Sequence, residues 1–165
     1  MYLSSRTVFL TLILGGSSVG LSGLSLAAES LATGDHQHGF TVHELQLNAG
    51  EKWATDAPLR KAMGSLNDAM RAALPEIHED RLGEASYVQL ASLINDEVAF
   101  MIKHCKLTPE ADAQLHLIIA QMLAGADSMA GKAGGARRDG AVKVMGALGA
   151  YAKYFADPAI ENAQH

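Results

Sequence analysis

Residues 108–129 read TPEADAQLHLIIAQMLAGADSM, and this stretch carries the clearest helix signal in the chain. Thr108 is a typical N-cap, Pro109 suits the first helical position because its missing N–H needs no partner there, and Glu110 complements the helix dipole. Core-directed positions then recur every three or four residues. The predicted inward face of this helix consists of Asp112, Leu115, His116, Ile119, Met122, Ala126 and Met129.

Two stretches before this one have the same helical spacing. In the first, Thr55 or Asp56 can serve as the N-cap, and Pro58 is tolerated in the first turn. Pro75 is expected to end this helix. A second predicted helix runs from about Glu84 to Lys106. The predicted inward positions of the two helices are Leu59, Met63, Leu66, Met70 and Ala73, then Val88, Ala91, Ile94, Val98, Met101 and Cys105.

A fourth helix is predicted after a glycine-rich connection at 131–135. Asp157-Pro158 is expected to end it. Its predicted inward positions are Val142, Met145, Leu148, Ala152 and Phe155. Four amphipathic helices with short connections predict an all-α fold, an antiparallel up-down-up-down four-helix bundle over residues 53–158, with a tail at 159–165.

The first 28 residues have the pattern of a secretory signal peptide. Arg6 precedes an apolar run at 7–14, and small residues follow up to Ala27 and Ala28, where cleavage is expected. The alternative is an uncleaved anchor, but several Gly and Ser residues dilute the apolar character of this segment. The sequence therefore predicts a periplasmic chain without stable membrane insertion, in which a flexible leader and a short extended segment occupy residues 29–52.

Composition narrows the function classes. The 165 residues suffice for one domain, and with only 5% aromatic residues the core must be mainly aliphatic. The formal net charge is -5 and no basic run exceeds Arg137-Arg138, which argues against a nucleic-acid partner. The sequence contains no recognisable set of nucleophile and base, no paired carboxylates and no phosphate loop, so an enzyme is not expected.

A candidate metal site follows from the expected bundle. Its topology places the end of the second helix beside the start of the third, with the start of the first helix nearby. His116 and Met63 are the predicted first donors, Cys105 or Met101 the third, and Asp112 the group that orients the imidazole. Imidazole, thioether and thiolate form a soft donor set that suits copper, especially Cu(I).

Other interpretations of the same residues stay open. Met and Cys often only pack, and Asp112 with His116 can be a simple polar pair. The alternative function is then that of a metal-free structural or interaction protein of a stress-related or chaperone-like kind. A non-covalent haem with Met63 and His116 as axial ligands is a further alternative, because four-helix bundles hold haem between core side chains. The partner is then a metal ion or another small ligand, and any protein partner is unknown.

Several stretches are similar to small secreted proteobacterial proteins described as DnrO-like. They are LNAGEKWATD at 47–56 with Leu59-Arg60 and Met63, CKLTPEADAQLH at 105–116, and YAKYF at 151–155 before Pro158. The resemblance spans about residues 47–158; it implies a secreted protein and assigns no activity. The predicted bundle also resembles cytochrome b562 and cytochrome c-prime in outline only, since the last helix lacks a histidine and the covalent haem motif is missing.

Overall fold

The computed structural model describes residues 44–162, with side chains up to residue 160. The described helices are α1 Ala57–His78, α2 Glu84–His104, α3 Pro109–Met129, α4 Arg137–Tyr154 and the short α5 Pro158–Asn162. Residues 44–162 contain no β-strand and only two isolated bridges. The all-α prediction with four long helices is therefore confirmed, whereas the predicted signal peptide and the leader up to residue 43 lie outside the described residues.

Helix α1 begins as expected and ends later than expected. Asp56 is its N-cap, and the carboxylate Oδ1 accepts a hydrogen bond from the Leu59 backbone N–H at 2.8 Å. The helix continues through Pro75 to His78, so the expectation that Pro75 ends it is wrong. Pro75 has no backbone N–H, so the helix loses one hydrogen bond there. The Pro75 carbonyl still accepts a hydrogen bond from the Glu79 backbone N–H, and burial of the Ile77 side chain in the core stabilises the last turn.

The inward face of α2 is rotated slightly from the predicted one. Tyr87 is buried, whereas Val88 is 45% exposed. The buried positions are Tyr87, Ala91, Ile94, Val98 and Met101. The spacings between these positions alternate between four and three residues. Val88 in place of Tyr87 does not fit this alternation. Cys105 is the C-cap residue after the last helical turn, and it is half-buried.

Helix α3 has the predicted Thr108 cap, but two predicted inward residues face solvent. The Asp112 and His116 side chains are 51% and 61% exposed, so their assignment to the core is wrong. The buried stripe is Ala111, Leu115, Ile118, Ile119, Met122, Gly125, Ala126 and Met129. Asp112 and His116 each stand one position after a member of this stripe, which turns them about 100° away from its centre.

Helix α4 shows a similar one-residue shift. Val142, predicted to face inward, is 59% exposed, and Met145 is half-buried. The buried helical positions are Gly140, Ala141, Val144, Ala147, Leu148, Tyr151 and Ala152. Residues 158–162 form α5, although the sequence pattern predicts that the bundle ends at Pro158 and that a tail follows. Ile160 is buried in the common core. In the described part of the chain, no helix is long and apolar enough to cross a membrane.

The segment before α1, at residues 53–56, forms hydrogen bonds with the end of α4 and with the connection between α2 and α3. Thr55 Oγ1 donates to the Ala156 carbonyl at 2.6 Å, and the Trp53 N–H donates to the Tyr154 carbonyl at 2.8 Å, both just past or at the end of α4. Asp56 Oδ2 accepts from the Lys106 N–H between α2 and α3. The start of α1, the α2–α3 connection and the end of α4 therefore meet, and this meeting positions the candidate site.

Candidate functional site

A cavity of about 160 Å³ lies between the last turn of α2 and the first turns of α3. Four of the five residues predicted to form a metal site line it, and these are Met101, Cys105, Asp112 and His116. The remaining walls are the apolar side chains of Ile102, Leu115 and Ile119. The sequence therefore predicted correctly that these four side chains lie close together. Two of them, Asp112 and His116, reach the cavity from the surface of α3.

Met63, the fifth predicted residue, lies elsewhere. Its side chain is completely buried within the core and is not part of the cavity lining. His116, by contrast, lies on the exposed side of α3. The two side chains proposed as axial haem ligands thus occupy different environments, one in the packed interior and one at the surface.

The imidazole of His116 is held by the residue one turn earlier. His116 Nδ1 lies 2.9 Å from the Asp112 backbone carbonyl oxygen and 3.3 Å from the carboxylate Oδ2 of Asp112. Both neighbours are acceptors, which favours the tautomer with the proton on Nδ1. That tautomer leaves the lone pair of Nε2 for a ligand, as in the histidine sites of many metalloproteins.

The thiol of Cys105 is kept protonated at neutral pH. Burial is the largest cause and raises the pKa of Cys105 to about 11, with further contributions from the Asp56 carboxylate, from a hydrogen bond to it and from Asp112. A thiol in this environment is a poor nucleophile, because the thiolate is the reactive form. It can still bind a soft metal ion that displaces its proton.

Asp56 lies beside this site without lining its cavity, and the sequence predicted for it only a helix-capping role. One carboxylate oxygen caps α1, and the other accepts from the Lys106 backbone N–H at 2.6 Å. The same carboxylate lies near enough to the Cys105 thiol to raise the pKa of that thiol. The N-cap pattern identified the first contact, but the other two depend on how α1 meets the α2–α3 connection.

The side chains around the cavity include sulfur of two kinds, the thioether of Met101 and the thiol of Cys105. Within residues 44–162, no three side chains drawn from His, Cys, Asp and Glu are grouped so as to hold a metal ion. A three-donor site in this cavity therefore needs the thioether of Met101, which is buried against it. Thioether, thiol and imidazole suit Cu(I), whereas Mg²⁺ and Ca²⁺ require several oxygen ligands.

A second cavity lies between the second half of α1 and the first half of α4. This apolar groove has a volume of about 300 Å³, and Leu74, Ile77, Ala141, Val142 and Met145 form its walls together with His78 and Arg138. The sequence does not predict this groove, because the helical spacing places Val142 and Met145 in the packed stripe of α4. Their exposure follows from the rotation of that helix.

Comparisons of this chain with protein-family models, with curated proteins and with solved structures gave no match.

Proposed function

We propose that this chain is an exported, non-enzymatic protein that binds a soft metal ion, with Cu(I) preferred, in the cavity between α2 and α3. The observation that carries the proposal is the convergence of Met101, Cys105 and His116 on one cavity. The three side chains supply a thioether, a thiol and an imidazole. This donor set is typical of soft-metal sites rather than of hydrolytic or phosphate-binding centres.

Each residue has a separate role in this site. His116 would bind the ion through Nε2, and Asp112 would fix the imidazole by accepting from Nδ1. Cys105 would bind as thiolate after losing its proton to the solvent. Met101 would contribute a neutral thioether from the buried side of the cavity. The exposed position of His116 gives the ion a route from solvent.

Export and topology are parts of the same proposal. Cleavage near Ala27 or Ala28 would release the chain into the periplasm. The up-down-up-down order is supported by the hydrogen bonds that join the start of α1 to the α2–α3 connection and to the end of α4. Mass spectrometry of the exported protein would locate the cleavage site.

The test is a Cu(I) competition titration of the protein purified without a histidine tag. We expect one equivalent to bind the wild-type protein and the affinity to fall at least tenfold in Cys105→Ser and in His116→Ala. His104→Ala is the matched control, because His104 is also exposed, lies against Phe100 and does not line the cavity. Equal affinities for wild type, His116→Ala and His104→Ala would refute the site.

A metal-free interaction protein is the second candidate, and the apolar groove between α1 and α4 favours it. In that case Met101 and Cys105 only pack, and the Cu(I) titration shows no site-specific binding. The absorption spectrum of the same preparation separates the haem alternative, since bound haem gives an intense visible band that neither other candidate produces.

A further inference from the structure

We infer a second ligand site, independent of the metal proposal: the apolar groove between α1 and α4 binds a single-chain carboxylate with an unbranched acyl tail of medium length. The acyl tail would lie along Leu74, Ile77 and Met145, and the carboxylate would meet the guanidinium of Arg138. The inference depends on the walls of the groove, on the charge of Arg138, which has no partner among the described residues, and on the size of the groove.

The walls of the groove are almost entirely hydrocarbon, and part of this hydrocarbon surface is exposed to solvent. Val142 is 59% exposed, and Met145 is half-buried in the described fold. The cause is the loose packing of α1 against α4, which contrasts with the close packing of α3 against α4. Covering this apolar surface with a hydrocarbon chain lowers the free energy of the system, because apolar area is removed from water.

Two neighbouring arginines at the start of α4 differ in their partners. The guanidinium of Arg137 donates a hydrogen bond to the Met129 carbonyl and forms an ion pair with Glu84. Arg138 is exposed, lines the groove and makes no hydrogen bond or ion pair with the described residues. A guanidinium that is free to form two parallel hydrogen bonds is well suited to a carboxylate.

A buried phenol close to Arg138 also lacks a partner. Tyr87 is only 5% exposed, and its hydroxyl has no hydrogen-bond acceptor or donor among the described residues. Arg138 lies close enough to lower the pKa of Tyr87, against the larger raising effects of burial and of the Asp80 carboxylate. Tyr87 does not line the groove, so the head group of the ligand is assigned to Arg138 alone.

The size of the groove selects the kind of ligand. About 300 Å³ is at the lower limit of small-molecule pockets. A two-chain lipid would exceed it, and a peptide helix, roughly 10–12 Å across with its side chains, needs a wider surface. One acyl chain with a small anionic head matches the volume, the hydrocarbon walls and the free guanidinium together.

The test is isothermal titration of the full exported protein with decanoate, below its micelle concentration, and with decanol and decylamine as probes of the head group. We expect decanoate to bind most tightly, and Arg138→Gln to weaken it about tenfold while leaving decanol unchanged. Lys143→Gln is the matched control, since it removes a positive charge from the same helix without touching the groove. Val142→Trp should block all three ligands.

Three results would overturn the inference. The first is the absence of decanoate binding at millimolar concentration by a protein that is folded by circular dichroism. The second is equal affinity for acid, alcohol and amine. The third is a concentration-dependent dimer that Val142→Trp abolishes, which would assign the groove to a second copy of the chain. Cu(I) binding is measured on the same samples, so failure of one site is distinguishable from failure of the other.

Discussion

Gly125 of α3 and Gly140 of α4 face each other where the two helices cross backbone to backbone. A Cβ atom placed on Gly140 would lie 2.5 Å from the Gly125 carbonyl oxygen, and one placed on Gly125 would lie 2.8 Å from the Gly140 carbonyl oxygen. Neither position has room for a side chain, because the atoms in the way include the backbone of the opposite helix. The crossing fixes how closely α3 and α4 pack and therefore how α4 is rotated.

Gly125→Ala and Gly140→Ala should each destabilise the protein by about 3 kcal/mol, because overpacking here displaces backbone rather than a flexible side chain. Gly146→Ala is the control on α4, since a Cβ there meets nothing within 4 Å. It should stabilise the fold by about 0.5–1 kcal/mol through helix propensity. Urea unfolding of the three variants measures these changes, and similar stabilities for all three would contradict the close crossing.

Asp56→Ala should lower the free energy of unfolding by about 2 kcal/mol, because it removes the α1 cap and the acceptor for Lys106 together. Asp56→Asn should lose less, since its single carbonyl oxygen can serve one of these two N–H groups. Asp68→Ala is the control, because Asp68 is an exposed carboxylate in the middle of the same helix. Thermal unfolding of the set would disprove the bridging role if Asp56→Ala matched Asp68→Ala.

Tyr151→Phe should change how stability depends on alkaline pH. The Tyr151 hydroxyl is buried and donates to Asp157 Oδ2 at 3.0 Å, and burial, followed by Asp157, raises the pKa of Tyr151. The folded protein therefore keeps a proton that the unfolded chain loses above about pH 10, so the free energy of unfolding falls as the pH rises through that range.

The phenylalanine variant should be about 1–3 kcal/mol less stable at neutral pH, because the buried Asp157 carboxylate loses a donor. Between pH 9 and 11 it should lose stability less steeply than the wild type. Tyr154→Phe is the control, as Tyr154 is only half-buried on the same helix and should keep the wild-type slope. Denaturant titrations across this pH range measure both, and parallel curves for wild type and Tyr151→Phe would argue against the shifted pKa.

Met101→Leu and Met63→Leu distinguish a copper site in the α2–α3 cavity, which Met101 lines, from the site predicted by the sequence, which includes Met63. Both methionines are buried and both replacements conserve volume, so each should cost less than about 1.5 kcal/mol. Only Met101 lines the cavity with Cys105 and His116. Cu(I) affinity should therefore fall about tenfold in Met101→Leu and stay within about twofold of wild type in Met63→Leu; the reverse order would return Met63 to the site.

The sequence predicted the helices better than their rotation. Large aliphatic and methionine residues at Leu59, Met63, Leu66 and Met70 defined the inward face of α1 correctly, because each is strongly apolar. The face of α4 was misjudged, because its buried positions are largely Gly and Ala, which hydrophobic spacing hardly distinguishes from exposed residues. Val142 was then the most apolar choice, although it lies outside the core.

By itself, the sequence determined the all-α class, the number of long helices, the cap at Thr108 and a cap for α1 at either Thr55 or Asp56, because these depend on local spacing and on side chains near their own backbone. Only the tertiary structure decided that Asp112 and His116 face solvent at the rim of a cavity, that Met63 is excluded from it and that a groove stays open between α1 and α4. These features depend on contacts between helices that are distant in the sequence. At Gly125 and Gly140, for example, the missing side chains let α3 and α4 approach each other closely.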